Sequence, residues 1–552
     1  MKPETCIFGF ENYSDTLVIE ESRLRPIFLT FASGSLHLTY SRKLPDKKKN
    51  LLKESNNEAV PNYPRKEEGG LYCFFCWIHL VFEFDFELYL CVSFWFTDPI
   101  LFSLSGKREI NVEEDKISEL PDEVLVSILS RLTMREAART SVVARRWLKV
   151  WTFCPSLNFA ASETFLSSYR EARRVYEEEK QEYVNWVNCV LEAYQGSIID
   201  DFHIHFDLDP KYKYDIDRWV NFVIQKGVKR LVIDLGVYYN GGRSKHVYHF
   251  PLSCNNIALQ RTLHLLRVLK LKYVDVSGVV IEYFISACPC LEKLTIRGSG
   301  SNDLVHLNVA GGQSLCLKKV KIFGCSHLRS IRLSATNLLS FKYHGPIIDI
   351  SYENVPNLVE VLIGGWLTEM AISYFPQLSN YLFRLETLTV DVPHLEEDDM
   401  EDREPLEFPV LRKLKNLKLR VYASHEQSLL VFASLIKAAP SLDRLVVQLT
   451  NLWGTIKRMR AQEVPKSPLR CLKVAELFGF SGRTVEMELA TYLVKNAVML
   501  EKVIIDPIPY RSIEWHFQND DERLKRIQAS RKCAMLLRSN FSLGNKLVFR
   551  DF

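Results

Sequence analysis

The 552-residue chain lacks the short fingerprints that announce an active site. It contains no G-x-x-x-x-G-K-[ST] phosphate loop, no H-E-x-x-H zinc motif and no G-x-S-x-G nucleophile elbow. Gly298 and Gly300 stand in GSGSN after an apolar run, too little for a dinucleotide site. Asp207 and Asp209 lie close together, but the sequence fixes no base or metal ligand beside them. No catalysis and no cofactor are expected. Charge bias is also lacking: Lys and Arg number 71 against 67 Asp and Glu, a net charge of +4. That balance does not point to nucleic acid as the main partner. The 13 cysteines are odd in number and follow no repeating spacing, which fits reduced thiols of the cytoplasm or nucleus and not a secreted disulfide framework. MKPETCIFGF has no basic start followed by an apolar run, so no secretory signal is expected.

An uncharged hydrophobic run of membrane-spanning length is missing too. Residues 71–104 are dense in aromatic and aliphatic side chains, but Glu83, Asp85 and Glu87 interrupt them and Asp98 follows. Each acid at a helix centre opposes insertion by about 2.5–3.5 kcal/mol, so a span is not expected. Cys73 and Cys76 form a lone C-x-x-C with His79 nearby, without the second ligand pair that structural zinc uses. Residues 1–70 are polar and irregular, with a basic run at Lys47, Lys48 and Lys49 and no periodic element. Residues 1–106 therefore read as an atypical N-terminal extension of low order, with translated non-coding sequence as one candidate origin.

What the chain does have is 47% hydrophobic and 25% charged residues, the composition of a globular protein large enough for several domains. The richest stretch is Asp115 to Trp151. Leu120, Val124, Leu125, Ile128, Leu129 and Leu132 recur at the three- and four-residue spacing of an amphipathic helix. Pro121 suits its first turn, and Asp122 and Glu123 suit its positive end. Thr133 with Glu136 predicts a capping box opening a second helix. Ser141 is expected to cap a third, carrying Val142, Val143, Trp147 and Trp151. Three short helices enclose too little core to stand alone, which favours docking on another body.

This stretch resembles an F-box, the module that joins a substrate receptor to a Skp-type adaptor in cullin ubiquitin ligases. The Leu120-Pro121 pair, Glu123, Ile128, Leu132, the Thr140-Ser141 pair and Arg145-Arg146-Trp147 fall in family order; Ala144 stands where plant members usually have Ser. The resemblance implies that Leu120, Pro121, Ile128, Leu129 and Leu132 face the adaptor, with Trp147 supporting the helical packing.

Residues 162–194 read as a charged helix ending in a stripe of Val184, Val187, Val190 and Leu191. In the strand that follows, Phe202, Ile204, Phe206 and Leu208 alternate with polar residues, and His203 and His205 share the other, solvent-facing side. From there apolar-x-x-apolar-x-apolar recurs twelve times, from Val228-Leu231-Ile233 to Leu500-Val503-Ile505. Leu266 to Leu291 spans 25 residues and Leu358 to Leu385 spans 27, close to a leucine-rich-repeat period, while intervals of 11 and 10 flank Leu328 and suggest short turns. No regular Asn position predicts an asparagine ladder. Val279–Ala287 and Ser428–Ala439 read as inter-strand helices. Lys415, Lys418 and Arg420 read as a solvated strand face, the acids from Glu396 to Glu404 as a loop, and Cys288 and Cys290 as structural.

After Ser467 the pattern predicts a strand at Leu472–Leu477, a turn at Gly479 and Gly482, a helix through Met487 and Leu493, and a strand at Lys502–Ile505. With Phe478-Gly479-Phe480, Glu488-Leu489-Ala490 and Leu500-Glu501-Lys502 it resembles the FBD domain of plant F-box/leucine-rich-repeat proteins. A basic helix near Asp521–Arg538 is expected to cap the array.

The expectation is an α/β chain: a three-helix F-box at 113–160, a linking helix and first strand at 161–227, an irregular leucine-rich-repeat solenoid at 228–465, and an FBD-type strand-helix-strand cap at 467–540. The resemblance implies the substrate-recognition subunit of a Skp–cullin–F-box ubiquitin ligase, with the F-box on the adaptor and a protein target on the repeats. The alternative is a repeat interaction module that recruits no ligase.

Overall fold

The computed structural model describes the backbone of three N-terminal strands and most of residues 117–550. It leaves out 118, 143–145, 161–172, 237–247, 251–261, 312–314, 366–383, 393–407, 423–428, 451–466 and 510–519. The chain divides into Met1–Leu80 and Val81–Phe552. In the first unit, β1 (Thr16–Ile19), β2 (Ile27–Ala32) and β3 (Ser35–Tyr40) form an antiparallel sheet, with Thr16 opposite Thr30 and Ile27 opposite Tyr40. No periodic element is expected here from the sequence. The usable signal is alternation on both sides of Ser33-Gly34. The aromatic stretch 71–104, with Cys73, Cys76 and His79, lies outside the described residues, as does the acidic run 396–404.

The second unit opens with α1 (Asp122–Leu129), α2 (Met134–Arg139) and α3 (Trp147–Val150). Pro121 is the N-cap of α1, with Asp122 and Glu123 in the first turn. The capping box is present: the Thr133 N–H donates to Glu136 Oε2 at 2.7 Å, and the Glu136 N–H to Thr133 Oγ1 at 3.4 Å. The third helix does not start at Ser141. That hydroxyl donates back to the Ala138 carbonyl at 2.6 Å within a 3-10 turn, and α3 begins after Arg146.

A fourteen-stranded, wholly parallel sheet follows, with no break between its first and last strands. Its members are β4 (Ser156–Ala160), β5 (Asp201–His205), β6 (Arg230–Asp234), β7 (Val268–Lys272), β8 (Lys293–Arg297), β10 (Lys319–Phe323) and β12 (Ser340–Gly345). They continue as β14 (Glu360–Gly365), β15 (Thr387–Val392), β16 (Asn416–Tyr422), β17 (Arg444–Thr450), β18 (Val474–Phe478), β19 (Lys502–Asp506) and β20 (Leu547–Phe549). The register stacks the motif's apolar positions into rows: Leu231, Leu269, Leu294, Val320, Phe341 and Val361 form one, all buried to within about 1%. Each fully buried Leu or Val adds about 1.5–3 kcal/mol, and no repeat can bury its own without neighbours.

The sheet begins earlier than the predicted boundary at 228. Cys154-Leu157-Phe159 and Ile199-Phe202-Ile204 carry the same motif in β4 and β5. Near the other end, the inward residues of β18 are Ala475 and Leu477, three positions beyond the Leu472-Val474 pair that the pattern selected. Leu328-Ile331-Leu333 is not a short repeat of this sheet. It forms β11 (Ser330–Ser334), the middle strand of a second parallel sheet with β9 (His306–Ala310) and β13 (Asp349–Tyr352). The 11- and 10-residue intervals are therefore two halves of one repeat. Strand starts at Lys293, Lys319, Ser340 and Glu360 put successive repeats 26, 21 and 20 residues apart. A short asparagine ladder does exist here: Asn337 Nδ2 donates to the Leu315 carbonyl at 2.8 Å and Asn357 Nδ2 to the Thr336 carbonyl at 2.9 Å.

Helices connect other strands: α4 (Arg173–Ala193), α5 (Lys213–Gln225), α6 (Gly278–Ala287), α7 (Ala433–Lys437), α8 (Thr484–Asn496) and α9 (Asp520–Asn540). The predicted strand, Gly turn, helix and strand after Ser467 are present as β18, α8 and β19. Gly479 and Gly482 have φ of +71 and +84, and a Cβ on Gly479 would stand 2.1 Å from the Leu449 carbonyl oxygen. The basic helix is α9, but the strand that ends the sheet is β20.

Candidate functional surfaces

In the helical module, α1 separates its apolar residues into two rows. Leu125 and Leu129 point inward at 0% and 1% exposure. Pro121 and Val124 are exposed, and Leu120, Ile128 and Leu132 are half-buried. The expectation that Leu129 faces a partner is corrected: a side chain 1% exposed has no surface left to offer. Trp147, also 1% exposed, belongs to the module's core. Val124 was missed because one helical period fits both rows, and only packing decides which faces out. Leu148, Val142 and Phe153 are further exposed apolar residues of the module. Arg146 ties α3 to the start of α1 through Asp122 Oδ1 at 2.7 Å, an exposed pair of small energetic weight.

The module runs directly into the array. Arg135 of α2 lies 4.7 Å from the centroid of Trp186 on α4, and Tyr183 Oη donates to the Phe159 carbonyl at 2.6 Å. Backbone N–H groups of Gln195 and Asp200 donate to the carbonyls of Thr152 and Pro155 at 3.0 and 2.8 Å. Asp207 and Asp209, without a partner in the sequence reading, receive one from α4. Lys180 Nζ lies 3.5 Å from Asp207, 3.4 Å from Asp209 and 3.4 Å from Glu177. Burial pushes this ammonium down, and the three carboxylates together outweigh it and hold it above the ordinary lysine value.

The other candidate is the face of the large sheet opposite its apolar rows. Toward both ends, an acid on one strand pairs with a base from a neighbouring segment. Asp234 meets Lys272 at 2.8 Å, Asp391 meets Arg420 at 3.4 Å, and Glu476 pairs with Arg444 and, at 3.8 Å, Arg550. These acids are buried beside their cations, though Asp391 Oδ1 has no hydrogen-bond partner among the described residues. Arg420 and Lys415 are therefore paired, the latter with Glu386 at 3.3 Å. The middle of the face differs. Strands β7, β8, β10 and β12 carry Lys270, Lys272, Lys293, Arg297, Lys319, Lys321 and Lys342 and no acid. Register sets Lys272 beside Arg297, Lys293 beside Lys319 and Lys321 beside Lys342. Among the described residues only the outer cations have acids in ion-pair distance: Lys272 has Asp234, and Lys342 has Glu360 from β14. Burial, then the neighbouring cations, hold the Lys270 and Lys321 ammonium groups below the ordinary lysine value.

His203 and His205 stand on β5, rings nearly parallel with centroids 6.2 Å apart. His203 and His205 share the side of β5 away from the buried Phe202 and Ile204 and are both half-buried there, and burial lowers His203 to about 4. Among the described residues no three His, Cys, Asp or Glu side chains gather as a metal site. Cys288 is buried, its thiol pushed up to about 12 by that burial, and Cys290 is exposed; both are free. No helix among the described residues is long and apolar enough to cross a membrane.

A three-helix module leading straight into stacked parallel repeats defines an F-box protein with leucine-rich repeats. A family model for F-box-like domains matches residues 117–151, and the model described as the At1g61320/AtMIF1 LRR domain matches 190–546. The chain belongs to this plant F-box/LRR family. Similar Arabidopsis thaliana proteins include F-box/LRR-repeat protein At3g58900, 31% identical over 48% of this chain and 84% of its own length. F-box/FBD/LRR-repeat protein At1g78750 is 24% identical over 72% of this chain and 90% of its own. The LRR model runs through the segment that resembles an FBD domain, so that segment is matched as part of the repeats.

Proposed function

We propose that this chain is the substrate-recognition subunit of a Skp–cullin–F-box ubiquitin ligase, its F-box on the adaptor and its repeats on a protein target. The observation that carries the reading is the double row on α1: a module that fills its core with Leu125, Leu129 and Trp147 still displays Pro121, Val124 and Ile128 outward. Exposed apolar residues on so small a unit suit a partner surface. The contribution is proximity: the receptor holds a target beside the ubiquitin-charged enzyme and raises its effective concentration, with no bond made by this chain. The free thiols of Cys154 and Cys288 suit the cytoplasm or nucleus, and the segment from Ser467 serves as an FBD-type end of the array.

The test is co-purification of the full chain with a Skp-type adaptor, beside a Leu120→Ala/Pro121→Ala variant and a Val124→Asp/Ile128→Asp variant. Capture by the wild type, lost in both variants with unchanged circular dichroism, is the expected result. A folded wild-type chain that ignores the adaptor overturns the reading and leaves a repeat interaction protein.

A further inference from the structure

We infer that the middle of the open sheet face, from β7 to β12, is the docking surface for an acidic, extended polypeptide segment rich in Asp and Glu. The inference rests on the ligase-receptor reading only in calling that segment the substrate's.

Three observations carry it. Lys270, Lys293, Lys319 and Lys321 have no acid within ion-pair distance in the described structure, although elsewhere on this face a neighbouring strand supplies one, directly opposite or on the diagonal. Secondly, three cation–cation pairs stand side by side on hydrogen-bonded strands, an arrangement that opposes folding and that an anionic partner would relieve. Thirdly, the area is open: Lys293, Arg297 and Lys319 are exposed and Lys270 and Lys321 half-exposed, whereas the corresponding Thr389, Gln448 and Glu476 toward the C-terminus are buried.

The same residues choose between carboxylate and phosphate. Phosphate recognition favours Arg forks and unspent backbone N–H groups. Here six of the seven cations are lysines, the N–H groups of the strands serve the ladder, and the Arg297 guanidinium lies 5.7 Å from the Tyr273 ring centroid. Lysines are point charges on flexible stems, suited to several separate carboxylates. With strands about 4.8 Å apart and residues rising about 3.3 Å each, the patch measures roughly 14 by 13 Å, room for a strand of about four residues.

The experiment is fluorescence anisotropy of a labelled oligo-glutamate peptide with the purified full chain. We expect binding that weakens as salt rises, and at least roughly tenfold weaker binding by a Lys293→Glu/Lys319→Glu/Lys321→Glu variant. Lys502→Glu, exposed on the same sheet at β19, should bind as the wild type does, and an oligo-glutamine peptide should not bind. A Gln version of the triple variant replaces the Glu version if its melting temperature falls. Equal affinity of the triple variant and wild type, equal affinity for oligo-glutamine, or capture of a phosphoserine peptide without Asp or Glu in preference to oligo-glutamate each overturns the inference. Adaptor capture is read on the same preparations. A chain that takes the adaptor and ignores the peptide sinks this inference alone; one that takes the peptide without the adaptor sinks only the ligase reading.

Discussion

At β6–β7 and β15–β16 the parallel register sets an acid against a base on the neighbouring strand, at β17–β18 a diagonal pair does the same, and each acid is buried; from β7 to β12 the register sets cation against cation. Both regions are hydrogen-bonded parallel strands of one sheet, and on this face they differ in the side chains they carry. The flanks spend their charges on holding the sheet together. The centre leaves them available, and nothing in the fold's own packing asks for them.

The sharpest way to break the comparison is on its paired side. Lys272→Ala leaves Asp234, 2% exposed, without its cation, and should destabilise the chain by about 3 kcal/mol in a denaturant titration. Lys180→Met leaves Glu177, Asp207 and Asp209 with Lys211 as their neighbouring cation; because all three are partly hydrated, a loss nearer about 2 kcal/mol is expected in the same titration. His203 contributes through pH. Burial holds its folded value at about 4, below the ordinary 6.5, so protonation favours the unfolded chain. Stability should therefore fall as pH drops from 6.5 toward 4, and His203→Gln should remove about 1 kcal/mol of that fall, seen in melting curves across the window. The smallest effect sharpens the comparison from the central side. Lys319→Gln relieves a like-charge neighbour and should raise stability by about 0.3 kcal/mol at low salt and by nothing measurable at high salt.

Much of the array was legible because its motif is a packing rule: every third and fifth position must be apolar for rows to stack, and Leu269, Leu294 and Val320 obey it. What failed to show were features that depend on a second body. Ile331 and Leu333 satisfy the motif as well as Val320 and Ile322 do, and only chain reversal assigns them to the other sheet. Leu129 and Ile128 are equally apolar neighbours on α1, yet one is buried and one is not. Lys180 lies 27 residues from Asp207, a distance across which no local pattern pairs them. The two ladder asparagines were readable in hindsight, since Asn337 and Asn357 each stand directly before the first leucine of a motif.

The second sheet has a consequence for curvature. Parallel strands sit about 4.8 Å apart, whereas packed helices need about 8–10 Å, so a repeat with a strand inside and a helix outside is wedge-shaped and bends the stack. From β8 to β14 the outer layer is β9, β11 and β13, strands like those facing them. An outer layer of strands matches the inner spacing, which removes the cause of bending over these repeats. Three of the four lysine-rich strands, β8, β10 and β12, lie in that stretch, which suits an extended chain that meets several of their charges at once.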